Sequence, residues 1–276
     1  MATRITVVKT GNIGVSPVLE LLLDERADRQ NLDVRVVSSG AKLGNTEAEE
    51  IAKIASDIST DLYIVISPNA ALPGPQKLRD ALAGTNKPVI VVSDGPAKKI
   101  KDELKEKGYG YLIITQDPMI GARREFLDPT EMAIFNGYLT VLLAETGVFS
   151  LITAKIDKVI EAIERGEVPE LPQVVVNPKK AAEAVGFSNP YALTKAIAAG
   201  VITGKISDIT IKACFKTKER EEYIKGVSAA HEMLQAALLL AEQAREIEKS
   251  NDAVRRTPHH KKGHTLSKTT LISKPE

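Results

Sequence analysis

The chain has 276 residues, 43% of them hydrophobic and 26% charged, which suits a globular protein of one large domain or two modest ones. Its 37 basic and 36 acidic residues leave a formal net charge of +1, so overall charge gives no support to nucleic-acid binding. The single cysteine, Cys214, excludes an intramolecular disulfide, and residues 236–241 form the longest wholly apolar run, far too short to span a membrane. With no signal peptide evident, we expect a cytoplasmic protein.

Short runs rich in β-branched residues alternate with helical patterns over the first 115 residues. The runs lie at 5–8, 34–37, 62–66, 88–92 and 111–114, and the helical patterns near 16–26, 46–58, 75–83 and 97–107. The runs are continuously apolar, which is typical of strands covered on both faces. This order predicts an α/β fold with a doubly wound parallel sheet, whose ligands bind beyond the carboxyl ends of the strands.

Helical patterns dominate the rest of the chain. Asp128, Pro129 and Glu131 predict a capped helix that runs to about residue 146, and an apolar stripe over 152–163 predicts a second. Two helices that start at prolines are predicted at 178–185 and 190–199, each followed by glycine, and a long helix at 223–249. Alternating residues at 206–215 predict a strand or hairpin arm, whereas the last 26 residues show no periodicity.

These patterns divide the chain into three parts. Residues 1–115 are predicted to form an α/β parallel-sheet domain, and residues 116–250 a mainly helical region with a short strand or hairpin near 206–215. Residues 251–276 are predicted to form an irregular basic tail. No low-complexity linker separates the halves, so we expect them to share a core or an interface.

The loop after the first predicted strand is a candidate anion site. Gly11 and Gly14 allow close approach of the backbone to a ligand, and a helix beginning at Ser16 offers free N–H groups. The full G-x-G-x-x-G fingerprint is missing, and Ser38-Ser39-Gly40 replaces the acidic residue that binds the ribose of NAD. Both departures disfavour ordinary NAD binding, and a tight turn without a ligand remains the alternative.

Proline-rich loops follow the third and fourth predicted strands and would form a stiff wall beside a flat ring. Plain connecting loops are the alternative interpretation. All these loops should open on one edge of the sheet, which strengthens the ligand interpretation. The predicted cofactor-binding residues are Gly11, Asn12, Gly14, Ser16, Asn69, Asp94 and Pro96.

A polar cluster after the last predicted strand is a candidate for binding acidic groups. Arg123 and Arg124 present planar forks of donors suited to phosphate or carboxylate, and Glu125 can fix one of them. A surface ion-pair network is the alternative. The position beyond a strand at the ligand-binding edge favours a substrate-binding role.

The tail combines basic and imidazole side chains with a polar start. We predict that it folds against an acidic ligand or a neighbouring subunit, with a flexible basic tail as the alternative. No cysteine lies near its histidines and no zinc-site spacing is present, so we predict no metal. The predicted substrate-binding residues here are Asn251, Asp252, Arg255, Arg256 and His259.

Several standard catalytic patterns are missing from the sequence. It has no G-x-S-x-G elbow, no G-x-x-x-x-G-K-[ST] phosphate loop and no H-E-x-x-H pattern. The lone cysteine and scattered histidines form no convincing nucleophile–base pair. This pattern favours a reaction that depends on positioning rather than on acid–base groups.

Six stretches give the sequence a specific resemblance. It is similar over essentially its whole length to the deazaflavin-dependent methylenetetrahydromethanopterin dehydrogenases of methanogenic archaea. The stretches are Gly11-Asn12-Ile13-Gly14, residues 22–28 (LLDERAD), residues 121–129 (GARREFLDP), Asn189-Pro190-Tyr191-Ala192, Ala230-His231-Glu232-Met233 and residues 248–254 (EKSNDAV). Residues 260–265 look individual to this sequence.

The resemblance implies an oxidoreductase that moves a hydride reversibly between methylenetetrahydromethanopterin and coenzyme F420, a step of methanogenesis from carbon dioxide. It implies a dissociable deazaflavin, no metal, no bound prosthetic group and no obligatory general acid or base. It also implies a homo-oligomer, a hexamer built from dimers, with its site in a cleft between regions or subunits. The alternatives are an NAD(P)-linked reductase and a non-catalytic anion-binding α/β protein.

Overall fold

A computed structural model describes residues 2–25, 28–118 and 128–276. The chain forms two compact units. The sheet unit comprises Met1–Ile114, Ile152–Val175 and Pro258–Leu266. The helical unit comprises Thr115–Leu151, Val176–Thr257 and Ser267–Glu276. The chain thus passes from the sheet unit into the helical unit directly after Ile114, and returns to the sheet unit twice.

A parallel sheet of six strands confirms the predicted α/β class. The strands are β1 (Thr3–Lys9), β2 (Leu32–Ser38), β3 (Leu62–Ser67), β4 (Val89–Asp94), β5 (Gly110–Ile114) and β6 (Gln173–Val176). Their order in the sheet is β2-β1-β3-β4-β5-β6. All five predicted runs are strands, and every residue of β3 and β4 is buried, as continuously apolar runs require.

Helices connect the strands of the sheet unit. They are α1 (Ser16–Asp24), α2 (Asn45–Ser56), α3 (Pro73–Ala83), a 3₁₀ helix (Gly95–Ile100) and α4 (Lys101–Glu106). The core beneath α2 and α3 is aliphatic, with side chains such as Val65, Leu78 and Val91 fully or almost fully buried. Such strand–helix–strand crossovers place every loop that follows a strand at one edge of the sheet.

Longer helices follow β5. They are α5 (Pro129–Glu145), α6 (Val148–Glu164), α7 (Pro178–Val185), α8 (Pro190–Ile211) and α9 (Arg220–Ser250). The predicted cap of α5 is confirmed, since Asp128 Oδ1 accepts from Thr130 N at 2.7 Å. Two caps that the sequence did not predict start α7 and α8: Asn177 Oδ1 accepts from Lys180 N (3.0 Å) and Asn189 Oδ1 accepts from Tyr191 N (2.9 Å). Among the described helices none alone is long and apolar enough to cross a bilayer, although α5 and α6 meet the length and composition test as a bent pair.

Two predictions for the region of α8 are wrong. The helix does not end before Gly200 but continues to Ile211, and residues 206–215 are helix and a π-helical turn (Lys212–Lys216) instead of a strand. Packing overrides both local signals, because Ala196, Ala199, Thr203, Ile206 and Thr210 are buried at helical spacing. Gly200 lies inside the helix at a close contact with Gln116, where a Cβ would lie 2.3 Å from Gln116 Nε2.

The sequence did not predict β6. This strand has only four residues, and Pro172 before it and Pro178 after Asn177 gave no strand signal. Its neighbour β5 is remote in sequence, with Tyr111 N donating to Pro172 O at 2.6 Å. A short strand stabilised by a remote partner has no local pattern from which to predict it.

The last 26 residues, predicted to be irregular, contain local pairing. Arg256 and Lys268 form one antiparallel bridge, and His259 and Thr265 form another. Pro258–Leu266 belongs to the sheet unit and the flanking residues to the helical unit.

Candidate active site

Four loops of the sheet unit meet at the carboxyl ends of its strands. We call residues 10–16, 38–43, 67–72 and 93–96 the carboxyl rim. β1 lies between β2 and β3 in the sheet. The connection that leaves β1 leads to β2 on one side, and the connection that leaves β3 leads to β4 on the other side, so the two connections diverge between β1 and β3. Open α/β sheets bind ligands at such a switch point.

Gly11 brings three loops of the carboxyl rim into contact. Its φ of +74° lies in the left-handed region that favours glycine. A Cβ at this position would lie 3.1 Å from both Leu43 Cδ2 and Pro68 Cδ, in the loops after β2 and β3. The glycine of the G-x-x-G pattern is therefore required for the close approach of these loops.

The start of α1 completes the first loop. Ser16 Oγ accepts from Ile13 N at 3.3 Å, and Ser16 N donates to Ile13 O at 3.0 Å. Asn12 is exposed, whereas Gly14 and Ser16 are buried. The turn thus presents the Asn12 side chain at the rim. The free N–H groups that the sequence predicted at the start of α1 are not found there, because Ser16 N donates to Ile13 O, Val18 N donates to Val15 O, and Pro17 has no N–H.

The loops after β3 and β4 are tied together by a buried hydroxyl. Ser93 Oγ donates to Ser67 O at 2.7 Å and accepts from Ala70 N at 3.0 Å. Asn69 Oδ1 accepts from Ala71 N at 3.1 Å, which uses one of its side-chain groups within the loop. Asp94 is buried at the end of β4, and Pro96 lies in the first turn of the 3₁₀ helix. The Ser93 hydroxyl thus links the loops after β3 and β4 to each other.

Two hydroxyls of the carboxyl rim were missed by sequence reasoning. Thr10 (0% exposed) and Ser67 (1% exposed) follow or end the neighbouring strands β1 and β3, and Thr10 N donates to Ile66 O at 3.0 Å. Thr10 Oγ1 and Ser67 Oγ have no hydrogen-bond partner among the residues that the structure describes. A buried hydroxyl without a partner costs about 1–3 kcal/mol, so these two groups fit a site that a polar ligand completes. Their only sequence signal is a hydroxyl residue at the end of an apolar run.

Arg123, Arg124 and Glu125 lie outside the residues that the structure describes. The segment before them leads from β5 into the helical unit, where Gln116 is fully buried against Gly200. Within the described part of the chain, both amide atoms of Gln116 lack a hydrogen-bond partner. The segment after them starts α5 at the Asp128 cap.

The tail residues of the helical unit have distinct surroundings. Asn251 Nδ2 donates to Ile247 O at 3.1 Å, and Asp252 Oδ1 accepts from Leu271 N at 2.8 Å with Asp252 at φ +47°. Arg256 Nη1 donates to Val254 O (2.9 Å) and Thr269 O (3.0 Å). Asn251, Asp252 and Arg256 therefore form hydrogen bonds that stabilise the fold of the tail itself.

Arg255 is exposed and lines a cavity of about 90 Å³ in the helical unit. Glu145 and Arg245 line the same cavity, with Arg245 Nε 3.8 Å from Glu145 Oε1. Burial raises the pKa of Glu145, and the charge of Arg245 opposes that shift. Arg255 thus lines the same small cavity as the Glu145 carboxylate and Arg245.

His259 has other partners than a ligand. Its Nδ1 lies 2.7 Å from Glu25 Oε1 and its Nε2 lies 2.9 Å from Asp157 Oδ2, all within the sheet unit. Both ring nitrogens are engaged by carboxylates, which leaves none for a substrate. The sequence alone could not have indicated these partners, which are 234 and 102 residues away.

The structure therefore assembles the predicted cofactor-binding residues at the carboxyl rim of the sheet unit. Arg255 and Arg256 belong to the helical unit. Among the described residues, no three His, Cys, Asp or Glu side chains are grouped as metal ligands would be.

Comparison with known proteins gives matches over the full length. The model of the methylene-5,6,7,8-tetrahydromethanopterin dehydrogenase family matches residues 3–276. An F420-dependent methylenetetrahydromethanopterin dehydrogenase from Archaeoglobus fulgidus is 57% identical over 276 residues and all of both chains. The enzyme of that name from Methanothermobacter marburgensis is 52% identical over the same extent.

A solved structure gives the same result in three dimensions. It is that of an F420-dependent methylene-tetrahydromethanopterin dehydrogenase in complex with methylene-tetrahydromethanopterin and coenzyme F420. The TM-score is 0.96 at 42% sequence identity, and the match covers all of both chains. With sequence and fold in agreement from end to end, this chain belongs to the methylenetetrahydromethanopterin dehydrogenase family.

Proposed function

We propose that the chain is an oxidoreductase that transfers a hydride reversibly between methylenetetrahydromethanopterin and coenzyme F420. The observation that carries this function is the full-length match to dehydrogenases of that name, at 57% and 52% identity. The solved relative with a TM-score of 0.96 was obtained with both of these ligands. The reaction yields the methenyl pterin and the reduced deazaflavin.

The carboxyl rim fits the deazaflavin. Gly11 allows close approach of the backbone to a ligand, and the exposed side chain of Asn12 offers an amide donor to an acidic tail. The unpartnered hydroxyls of Thr10 and Ser67 offer donors and acceptors to the polar edge of a ring. When bound, the deazaflavin supplies a ring carbon that accepts or returns the hydride. We therefore propose Gly11, Asn12, Gly14, Ser16, Asn69, Asp94 and Pro96 as cofactor-side residues, with Thr10 and Ser67 added.

Removal of the hydride from the pterin needs no general base of the protein. The methenyl product is a resonance-stabilised cation, so the hydride can leave the methylene carbon without a general base. The protein's task is to hold donor and acceptor carbons about 3–3.5 Å apart. It must also exclude water, and buried Ile13, Val15, Ala70 and Ala97 give the carboxyl rim an apolar base.

Arginines are proposed to bind the acidic tails of the two ligands. Arg123 and Arg124, with Glu125 as their partner, and exposed Arg255 are our first candidates. The guanidinium of Arg256 has further N–H donors besides Nη1, which donates to two backbone carbonyls. Asn251 and Asp252 fold the start of the tail, so we now assign them the positioning of Arg255 rather than a ligand contact. His259 is no longer proposed as a substrate-binding residue.

We also propose that the enzyme acts in the cytoplasm as a homo-oligomer, a hexamer built from dimers. The lone cysteine suits a reducing compartment. Large apolar side chains on helices of the helical unit support a subunit interface, since Ile134, Val141 and Leu239 are 41%, 42% and 54% exposed.

Cofactor choice tests the proposed function directly. With methylenetetrahydromethanopterin present, we expect the absorbance of oxidised coenzyme F420 to fall as it is reduced, and its fluorescence to be quenched on binding. NADPH fluorescence should not change, because the dinucleotide fingerprint and the acidic ribose ligand are absent. Turnover with NADP⁺ would instead support an NAD(P)-linked reductase. No absorbance change with either cofactor would favour the non-catalytic anion-binding protein.

Removal of one arginine tests the tail-binding role. We expect Arg124→Ala to weaken binding of one ligand by about 1.5–3 kcal/mol, the usual loss for a charged hydrogen bond. The measurement is the Michaelis constant for each ligand at saturation of the other. Arg165→Ala is the matched control, since Arg165 is exposed and pairs with Glu167 two residues away. Unchanged constants for both ligands in Arg124→Ala would remove this residue from the site.

A further inference from the structure

Residues Pro258–Leu266, which we call the tail loop, form a closed turn in the sheet unit. Leu266 N donates to Pro258 O at 2.8 Å, and His260 N donates to His264 O at 2.9 Å. The rings of His260 and His264 stack with centroids 4.5 Å apart. The tail loop is thus a compact piece of backbone that must be fixed to the rest of the unit by other contacts.

His259 makes the main polar contacts that fix the tail loop. Its ring lies between Glu25, just after α1, and Asp157, on α6, at 2.7 Å from Nδ1 and 2.9 Å from Nε2. Its backbone N–H donates to both oxygens of Glu25, at 2.8 and 3.0 Å. The His259 side chain is only 6% exposed, so water cannot replace these partners.

The geometry requires a charged imidazole. Each ring nitrogen faces a carboxylate oxygen, and a carboxylate can only accept a hydrogen bond. A neutral imidazole carries one N–H, so its other nitrogen would present a lone pair to a carboxylate. Only the imidazolium satisfies both contacts, and each is then a charge-assisted hydrogen bond.

Other charged groups lie around the His259 ring, but its two carboxylate contacts still require a charged imidazole. Arg29 Nη1 lies 3.2 Å from Asp157 Oδ1, and Asp24 interacts with Arg29. Asp28 lines the same groove as Glu25 and His259. Burial and Arg29 lower the pKa of His259, but Asp157 and Glu25 together raise it above its ordinary value.

Two contacts of the tail loop do not titrate. Gln30 N donates to Lys261 O at 2.8 Å. Gly263, at φ +104°, packs against Asn31 so closely that a Cβ would lie 2.2 Å from Asn31 Nδ2. Loss of the His259 charge should therefore loosen the tail loop rather than unfold the sheet unit.

We propose that His259 is a charge-dependent clamp that holds the tail loop on the sheet unit while its imidazole is protonated and releases it as the pH rises. The raised pKa fixes the sign: the clamp's contribution to stability is complete below the ordinary histidine pKa. It is lost as the pH rises through the higher pKa of the folded state. The clamp is independent of the reaction proposed above.

Hydrogen exchange of the full chain tests the clamp. Between pH 6 and pH 9.5, after correction for intrinsic exchange, we expect protection of the tail loop to fall at least about tenfold in the unaltered chain. In His259→Gln, which cannot carry the charge, protection should be low and independent of pH. His264→Gln is the matched control, because His264 lies in the same loop without a carboxylate contact in the described residues, and it should follow the unaltered chain.

A second variant covers the case in which His259→Gln fails to fold. Glu25→Gln removes one negative charge from the imidazolium, so the loop should loosen at a lower pH than in the unaltered chain. His231 differs from His259 in the direction of its pKa shift. Burial lowers the pKa of His231 although its Nδ1 lies 3.0 Å from Glu131 Oε2. Equal protection of the tail loop at pH 6 and pH 9.5, or the same loosening pH in Glu25→Gln as in the unaltered chain, would overturn the proposal.

Discussion

Gly147→Ala is expected to lower the free energy of unfolding by more than about 3 kcal/mol, because two independent costs coincide. Gly147 follows α5 with φ +88°, a left-handed conformation that side chains other than glycine rarely adopt. A Cβ here would also lie 2.1 Å from Ala181 O and 2.5 Å from Val185 Cγ2. The Ala181 carbonyl cannot move freely, since Ala181 is buried in α7 and its amide is bonded to Asn177 O.

Gly166→Ala separates the two costs. Gly166 follows α6 in the same way, with φ +71°, but nothing lies within 4 Å of its Cβ position. This control should lose only the backbone term of about 1–2 kcal/mol. Denaturant unfolding monitored by circular dichroism measures both variants. An equal loss in the two would mean that α7 gives way and that the close approach of α5 and α7 costs nothing.

The sheet could be predicted because its signals are local. β3, β4 and β5 are buried over their whole length and lie next to helical patterns, because packing on both faces selects apolar runs. The edge strand β2 is an exception, since it contains Asp33 and Arg35 and is partly exposed. β6 and the full length of α8 depend instead on partners remote in sequence. Gly200, for example, predicted the end of a helix, but it lies inside α8 at a position where a Cβ would clash with Gln116. Tertiary contacts of this kind override a propensity of about 1 kcal/mol.

The candidate site also contains some residues that sequence patterns predicted and others that only the fold reveals. Glycine and proline patterns located the loops of the carboxyl rim, because these residues impose specific backbone geometry. Thr10 and Ser67 gave no comparable signal, since only burial without a partner distinguishes them from other hydroxyls. His259 was predicted to bind substrate because the tail combines basic and imidazole side chains, and only the fold shows that Glu25 and Asp157 occupy its ring nitrogens.

Gly11→Ala is expected to reduce catalytic efficiency by about 10–100-fold, because small displacements of a positioned ligand have effects of this size. The alanine would be strained at φ +74°, and its Cβ would press on Leu43 and Pro68, each at 3.1 Å. Relief of those contacts shifts the loops after β1, β2 and β3 together. Since positioning is the main task of the protein in this reaction, activity should fall more than stability.

Gly40→Ala is the matched control for this variant. Gly40 lies on the same carboxyl rim at φ +68°, but nothing lies within 4 Å of its Cβ position. It carries a similar backbone strain without pressing on neighbouring loops, so its catalytic efficiency should stay within about threefold of the unaltered chain. Steady-state kinetics with both ligands, together with deazaflavin affinity from fluorescence quenching, measure the difference. Unaltered kinetics in Gly11→Ala would place the deazaflavin away from the carboxyl rim, because no ligand clamped between these three loops could be indifferent to their displacement.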